Sequence, residues 1–343
     1  MFGTYRTVLA LCVLFSHLYE LPMLGGYAVF GFYALSGYLM TLIMHGTYGY
    51  SGMGVAKFAT NRFLRLYPMY FAVLLLSVAL CYFLPSSWIF RYQSAIYLPG
   101  DLAGWLANIA FIFPRFDPSS YLPRLVPTTW ALTVEMFNYG LVAAGFSRSK
   151  RTSFIWLGAS LAYIGWTFIS ELDWTWRYHT LFAGCLPFSI GALIYHYRDM
   201  KPERLLNAKT LIVIPPLFLA NAYLGYKAPA FFDLCWYINL ALNVLFLFTL
   251  VTIGSKGNFR KRDTEIGKYS YPVYLLHWPV GLLVCYSLWD EPHTGRFFDI
   301  TSPESLISGA VSLALVFLFS FLLIKLIDEK VDKVRATVKR KRT

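Results

Sequence analysis

Charged residues are scarce in this chain of 343 residues. Lys, Arg, Asp and Glu make up 14% of the sequence and hydrophobic residues 57%, whereas an ordinary soluble domain has about 25% charged residues. No polar stretch is long enough to form a separate soluble domain. The composition therefore excludes a soluble globular protein and predicts one that crosses a membrane several times.

Patterns for metal, disulfide and nucleoside-triphosphate sites are also lacking. The five cysteines occur singly inside apolar runs, without a Cys-x-x-Cys pair or a histidine at metal-ligand spacing. We find no acidic cluster suited to a metal and no glycine-rich phosphate loop. We therefore predict no metal. The formal net charge is +12, but the basic residues lie in short connections between apolar runs, so we predict contact with membrane lipids and no nucleic-acid binding.

Ten apolar runs are long enough, or nearly so, to cross hydrocarbon about 30 Å thick. They lie at about 5–21, 26–45, 67–84, 129–146, 153–170, 179–197, 209–225, 233–253, 271–289 and 305–327. Every second connection is rich in Lys and Arg, as cytoplasmic loops are. We therefore predict an all-α polytopic membrane protein with ten transmembrane helices and both termini cytoplasmic. It forms a single domain over residues 1–343, with a short basic tail at about 329–343.

The first run, which we interpret as a retained helix and not a cleaved signal peptide, contains two polar residues. Arg6 and His17 are eleven positions apart, so at about 100° and 1.5 Å per residue they share one face and lie about 16 Å apart along the axis. On the predicted topology Arg6 is at the cytoplasmic surface and His17 beyond the midplane. Each alone also fits a structural role, as an interfacial anchor or a buried hydrogen-bonding group.

Two arginines follow the second run. Arg62 and Arg65 are three positions apart, so on a helix they are neighbours on one face. Arginines bind phosphates through bidentate, charge-assisted hydrogen bonds. A phosphate-binding site and a basic segment that meets anionic lipid are both compatible with this pattern.

Glu135 lies about two turns into the fourth run, at a depth comparable to that of His17. Ionisable residues are costly inside hydrocarbon and are functional candidates for that reason. A carboxylate beside an imidazole orients the ring and raises its basicity, as general-base catalysis requires. The alternative is a structural hydrogen bond to a neighbouring helix.

Two further segments are candidates for the walls of a cavity. His277 lies in the ninth run, close to Tyr271 and Tyr274. These side chains either pack inside the protein or line a cavity, and the sequence is compatible with both roles. The stretch 24–40 is rich in glycine and includes Ser36, so it permits close approach of another helix or of a ligand. An apolar segment at 102–113 is too short to span and is typical of a re-entrant or interfacial helix.

These stretches together resemble the acyltransferase 3 family of integral membrane acyltransferases, which modify sugars of surface and lipid-linked glycans. The features that carry the resemblance are Arg6 and His17; Phe32, Tyr33, Ser36 and Gly37; Arg62, Arg65 and Pro68; Trp130, Leu132 and Glu135; and Ser270, Tyr271, Tyr274, Leu275, His277 and Pro279. The chain departs from the family pattern at Ala28, where the family often has glycine, and at Asn61, where it often has another arginine.

The resemblance implies transfer of an acyl group, usually acetyl, from cytoplasmic acetyl-CoA to a hydroxyl of a glycan or lipid-linked oligosaccharide at the cell (inner or plasma) membrane. It implies that Arg6, Arg62 and Arg65 hold the phosphates of the coenzyme while its pantetheine arm reaches His17.

The resemblance also places the catalytic groups. We expect His17 to act as general base and Glu135 to orient its imidazole, with a transient acyl-histidine as the competing route. We expect Ser36, Tyr271, Tyr274 and His277 to line the donor site.

Two other functions stay open at this point. A non-catalytic transporter or flippase of a lipid-linked sugar would also line its path with intramembrane polar groups, and acetylation of peptidoglycan is a second rival. The sequence does not distinguish acetyl from succinyl, identify the glycan, or indicate whether the protein forms a homodimer.

Overall fold

The computed structural model describes residues 2–21, 23–200, 202, 206–254 and 257–340, and within these ranges the chain is helical and contains no strand. Each of the ten predicted apolar runs overlaps a helix. In chain order the α-helices are α1 (Phe2–Leu18), α2 (Leu24–Ile43), α3 (Gly52–Phe83), α4 (Ser86–Tyr92), α5 (Leu102–Ala110), α6 (Trp130–Ala143), α7 (Lys150–Ile169), α8 (Trp174–Tyr178), α9 (Cys185–Tyr197), α10 (Ala208–Lys227), α11 (Phe232–Ile253), α12 (Gly257–Lys268), α13 (Ser270–Leu288), α14 (Pro303–Leu323) and α15 (Glu329–Arg340). Residues Met44–Tyr48 and Ile324–Asp328 extend α2 and α14 as π-helical turns.

Seven helical segments of the described chain are long and apolar enough to cross a membrane. They lie at Leu24–Tyr48, Gly52–Phe83, Lys150–Ile169, Ala208–Lys227, Pro229–Ile253, Asn258–Leu288 and Pro303–Val338. The other three predicted spans correspond to α1, α6 and α9, which have 17, 14 and 13 residues, whereas a span takes about 20. An all-helical, multi-pass membrane protein is therefore confirmed, while ten spans and cytoplasmic termini stay predictions.

Large apolar side chains cover the exposed faces of α7 and α10. Ile155, Ile169 and Ile212 are 59%, 85% and 73% exposed. Large contiguous apolar patches are rare on soluble monomers and mark surfaces that contact a partner or a membrane. These two helices therefore present the surface that suits contact with lipid.

Helix α3 begins well before the predicted third run. It has 32 residues and contains Pro68, so at 1.5 Å per residue it is about 48 Å long, more than the hydrocarbon thickness. Its first half carries Arg62 and Arg65, which are thus one turn apart on a continuous helix, as the spacing predicts. The apolar pattern missed this half because the segment is too polar to lie in hydrocarbon.

Glycines bring α2 and α9 into close contact. A Cβ atom at Gly37 would overlap the backbone carbonyl of Phe188, and one at Gly191 would overlap that of Ala34. Only a residue without a Cβ atom allows the two backbones to approach in this way. The close helix packing predicted from the glycine-rich stretch is present.

Helix α1 is anchored at its amino terminus by α12. The backbone amides of Gly3 and Thr4 donate to the carboxylate of Asp263 at 3.0 and 2.9 Å, which satisfies two amides that a helix start leaves without an intrahelical acceptor. This contact places the end of α12, with Lys268, next to Arg6.

Arg124 holds the connection that leads into α6. Its guanidinium donates to the backbone carbonyls of Tyr121 and Pro127 at 2.7 and 3.1 Å. Burial lowers the pKa of Arg124 to about 10, so the group is still charged at neutral pH. The hydrogen bonds fix the position of Thr128 and of Trp130, which both line a cavity described below.

Candidate active site

A cavity of about 640 Å³ opens among α1, α2, α3, α6, α12 and α13, and the carboxyl-terminal segment also contributes to its lining. Its charged and polar lining consists of Arg6, Tyr33, Ser36, Arg62, Arg65, Glu135, Tyr139, Thr264, Lys268, Ser270, Tyr271, Tyr274, Asp328, Asp332 and Arg335. We call it the main cavity. Its volume lies in the range of about 300–1,000 Å³ that is usual for ligand and cofactor sites.

The three arginines predicted to bind phosphates line this cavity together. Arg6 comes from α1, and Arg62 and Arg65 come from the first half of α3. Positive charge predominates: five cations (these three, Lys268 and Arg335) face three acidic residues (Glu135, Asp328 and Asp332), an excess of two. An excess of forked cationic donors suits a ligand with phosphate groups.

The arginines differ in what already binds them. The Nε atoms of Arg6 and Arg62 are buried and have no hydrogen-bond partner among the described residues. Arg62 donates through Nη2 to Oδ1 of Asn61 at 3.0 Å. Arg65 instead forms an ion pair with Asp328 at 2.8 Å. Arg6 and Arg62 thus have donor capacity that a ligand can use, whereas Arg65 is engaged within the protein.

Replacement of Arg65 by alanine is therefore expected to destabilise the fold. The side chain of Asp328 is 4% exposed, and removing one partner of a buried ion pair costs about 3–5 kcal/mol because a charge is left unpaired. Thermal unfolding in detergent should show a large fall for Arg65→Ala and much less for Arg65→Gln combined with Asp328→Asn. Lys333→Ala, which removes an exposed charge from α15, is the control. A single and a double variant of equal stability would contradict the account of this pair.

Sequence reasoning missed Arg335. It lies in α15, which packs against α3, in the segment that we predicted as a basic tail. Its Nη2 donates to Oδ1 of Asn61 at 3.3 Å, it pairs with Asp332, and its Nε is buried without a partner among the described residues. Asn61, which stands where the family often has an arginine, thus positions an arginine from another helix. No local pattern around residue 335 signals this contact, since it joins positions far apart in the chain.

Glu135 lines the main cavity but not the cavity of His17. Its carboxylate accepts hydrogen bonds from Ser36 Oγ at 2.6 Å and from the Tyr139 hydroxyl at 2.5 Å. The predicted contact in which Glu135 orients the imidazole of His17 is therefore not formed in the described structure. Equal depth in the membrane does not make two residues neighbours, and α6 turns Glu135 toward Ser36 of α2.

His17 lines a second, smaller cavity of about 180 Å³, which we call the histidine cavity. Its ring stacks on that of His277, with centroids 5.3 Å apart and planes at 4°. Trp278 packs against the same ring at 5.2 Å. Packing against these two rings from α13 orients the imidazole of His17, in place of a carboxylate.

His277 was expected to line the donor site, and the structure places it elsewhere. It is fully buried and lies in the wall of neither cavity among the described residues. Its Nδ1 is 3.4 Å from the carbonyl of Val273 in its own helix. The packing interpretation of His277 therefore fits better than direct contact with a donor.

The two cavities adjoin. Val29 and Tyr274 line both of them. The Tyr274 hydroxyl donates to the carbonyl of Thr128 at 2.8 Å, and the Tyr271 hydroxyl donates to the carbonyl of Leu66 at 3.0 Å. Arg6 and His17 therefore line two different cavities, which share a wall at Tyr274.

A family model described as an acyltransferase domain, acyltransferase 3, matches residues 4–325 of the chain. The matched range begins in the first turn of α1, extends through α14 and ends before Asp328 and Arg335. No curated protein and no solved structure matches the chain.

Proposed function

The chain belongs to the acyltransferase 3 family and is a membrane acyltransferase, and from this premise we propose that it moves a short acyl group from acyl-CoA to a hydroxyl group of a glycan. The observation that carries the proposal is the pair of adjoining cavities, one rich in arginine and one containing His17. The coenzyme would lie in the main cavity and the reaction would occur at the histidine cavity.

The donor binds, in this proposal, by its phosphates. The unpartnered Nε atoms of Arg6, Arg62 and Arg335 offer charge-assisted hydrogen bonds to phosphate oxygens. The axial distance from Arg6 to His17 is about 16 Å along α1, a distance that an extended pantetheine arm matches. Acetyl-CoA is the donor we favour, because the family usually transfers acetyl groups.

His17 is the proposed general base. Its ring nitrogen takes the proton of the acceptor hydroxyl while the hydroxyl oxygen attacks the thioester carbonyl carbon. A C–O bond forms, the C–S bond breaks, and the proton passes from the imidazolium to the departing thiolate, which gives the acyl ester and free coenzyme. Glu135, which accepts hydrogen bonds from Ser36 and Tyr139, is proposed to line the donor cavity and not to orient the imidazole of His17.

The direct test follows labelled acyl groups in membrane vesicles. Membranes that contain the chain should transfer label from radiolabelled acetyl-CoA to glycan, and the glycan should gain the mass of one acyl group. Membranes without the chain are the control. If the protein moves lipid-linked sugar across the membrane but transfers no label, the proposed activity is wrong and the transporter alternative replaces it.

Enlarging the side chain at position 274 should separate donor binding from transfer. Tyr274 lies between the cavities, so the bulkier ring of Tyr274→Trp is expected to obstruct the pantetheine arm and to lower transfer about 100-fold, the effect of displacing reacting atoms by about 1 Å. Coenzyme A should still bind, because its phosphates lie at the other end of the main cavity. Calorimetry and the transfer assay measure the two effects. Tyr274→Phe, which keeps the ring, is the control, and transfer that survives in Tyr274→Trp would show that the arm takes another route.

A further inference from the structure

We propose that the histidine cavity is the acceptor site and that it binds a single uncharged sugar ring of the glycan. This inference rests on the proposed function, in which the main cavity holds the coenzyme, and it places the second substrate, the glycan acceptor, in the histidine cavity. Three observations on the described residues carry it: an aromatic wall, polar atoms in that wall without a hydrogen-bond partner, and a lining without Asp, Glu, Lys or Arg.

The aromatic wall comes from α6 and α8. The ring of Trp130 lies 4.8 Å from that of His179 and 5.2 Å from that of Tyr178, and Trp174 stacks on Tyr178 at 4.5 Å. Because the four rings brace one another, they form a stiff surface. The C–H faces of a pyranose ring carry partial positive charge and pack favourably on the negative faces of aromatic rings.

The same wall contains polar atoms that lack partners. The indole Nε1 of Trp174 and the ring Nδ1 of His179 are buried, and neither makes a hydrogen bond among the described residues. Leaving such an atom unpaired costs about 1–3 kcal/mol. A ring with several hydroxyl groups, each both donor and acceptor, satisfies an indole N–H and an imidazole nitrogen of either tautomer. An aliphatic chain satisfies neither.

Charge and volume separate this site from the donor site. Among the described residues that line the histidine cavity there is no Asp, Glu, Lys or Arg, in contrast to the eight charged residues of the main cavity. Among the described residues, no Lys or Arg lines the cavity to pair with a phosphate group. The histidine cavity has a volume of about 180 Å³ and the main cavity one of about 640 Å³, so the histidine cavity holds a much smaller group than a coenzyme. The cavity therefore suits one neutral ring, placed beside His17.

The location also fits an acceptor that approaches from the side of the membrane opposite the donor. Arg6 lies near the start of α1 and His17 near its end. The aromatic wall is likewise formed where α6 begins and just after α7 ends. Donor and acceptor thus reach the base from the two ends of α1.

The experiment uses purified full-length protein in detergent, radiolabelled acetyl-CoA as donor, and a panel of methyl pyranosides as acceptors, with 1-octanol as the aliphatic comparison. Trp130→Leu and His179→Leu should raise the acceptor KM about tenfold, as the loss of one stacking surface or one hydrogen bond predicts. The donor KM should stay at its native value, because neither residue lines the main cavity. Trp130→Phe, which keeps an aromatic face, should recover most of the loss.

Trp166→Leu is the matched control, because Trp166 is 47% exposed on α7 and does not line the cavity. Two results would overturn the proposal: an unchanged acceptor KM in both cavity variants, or native transfer to 1-octanol as efficient as to every pyranoside. Native protein that hydrolyses acetyl-CoA but acylates no pyranoside also overturns it, while the donor assignment stands. Failure to bind or consume acetyl-CoA at all would refute the proposed function itself.

Discussion

His17→Ala should lower acyl transfer by about 10²- to 10⁴-fold, the usual contribution of a positioned general base. The affinity for coenzyme A should stay at its native value, because His17 does not line the main cavity. Transfer measured with labelled acetyl-CoA, together with calorimetric binding of coenzyme A, separates the two effects. Loss of transfer without loss of binding is the signature of a group that acts on the reacting atoms.

His45→Ala is the matched control for this prediction. His45 lies in the π-helical turn after α2, where its Nε2 is 3.2 Å from the carbonyl of Ser147, and it lines neither cavity among the described residues. Its replacement should leave transfer nearly unchanged. Should Glu135→Gln abolish transfer while His17→Ala does not, the base would be Glu135, and the reaction would take place in the main cavity.

Arg6→Ala and Arg62→Ala should each weaken coenzyme A binding about 10- to 100-fold. A hydrogen bond to a charged group contributes about 1.5–3 kcal/mol, and each 1.4 kcal/mol is about tenfold in affinity. Neither arginine forms an ion pair in the described structure, so its replacement does not leave a buried carboxylate unpaired. Thermal stability should therefore fall far less than in Arg65→Ala. Arg335→Ala is expected to weaken coenzyme A binding as Arg62→Ala does, although residue 335 lies beyond the matched family region and its loss also breaks the ion pair with Asp332.

Comparison of two ligands makes the arginine prediction specific. Binding of coenzyme A should be affected, whereas binding of pantetheine, which has no phosphate, should not. Added salt should weaken coenzyme A binding in the native protein more than in the variants, because salt screens the charges that the variants have lost. Equal losses for both ligands would mean that the arginines shape the cavity without binding phosphates. Lys333→Ala controls for the loss of a positive charge elsewhere on α15.

The helical architecture follows largely from local properties of the sequence. Apolar runs identify helices because a backbone in hydrocarbon must form its hydrogen bonds within the segment, as a helix does. All ten predicted runs overlap helices. The spacing of Arg62 and Arg65 places both on one face of α3 through helix geometry alone. The presence of Arg6, Arg62 and Arg65 on one cavity wall required, in addition, the family resemblance, since α1 and α3 are not adjacent in the sequence.

Contacts between segments that are distant in the chain could not be predicted from local sequence patterns. Glu135 has the depth expected of a partner for His17, but depth does not fix the direction in which a side chain points from its helix. Arg335 reaches the main cavity because α15 folds back on α3, and a tail rich in Lys and Arg gives no sign of this. His277 shares a motif with Tyr274 and lies one turn further along α13, yet of the two only Tyr274 lines a cavity, because the ring of His17 stacks on that of His277.

The central claim is that the donor phosphates bind beside Arg6 while its acyl group lies beside His17. Cryo-electron microscopy of the protein with a non-hydrolysable acetyl-CoA analogue tests it most directly. The account predicts phosphate density against Arg6, Arg62 and Arg335, an arm that passes Tyr274, and an acyl carbonyl within reach of the His17 ring. An analogue whose acyl group ends beside Glu135 in the main cavity, or whose phosphates lie away from the arginines, would contradict it.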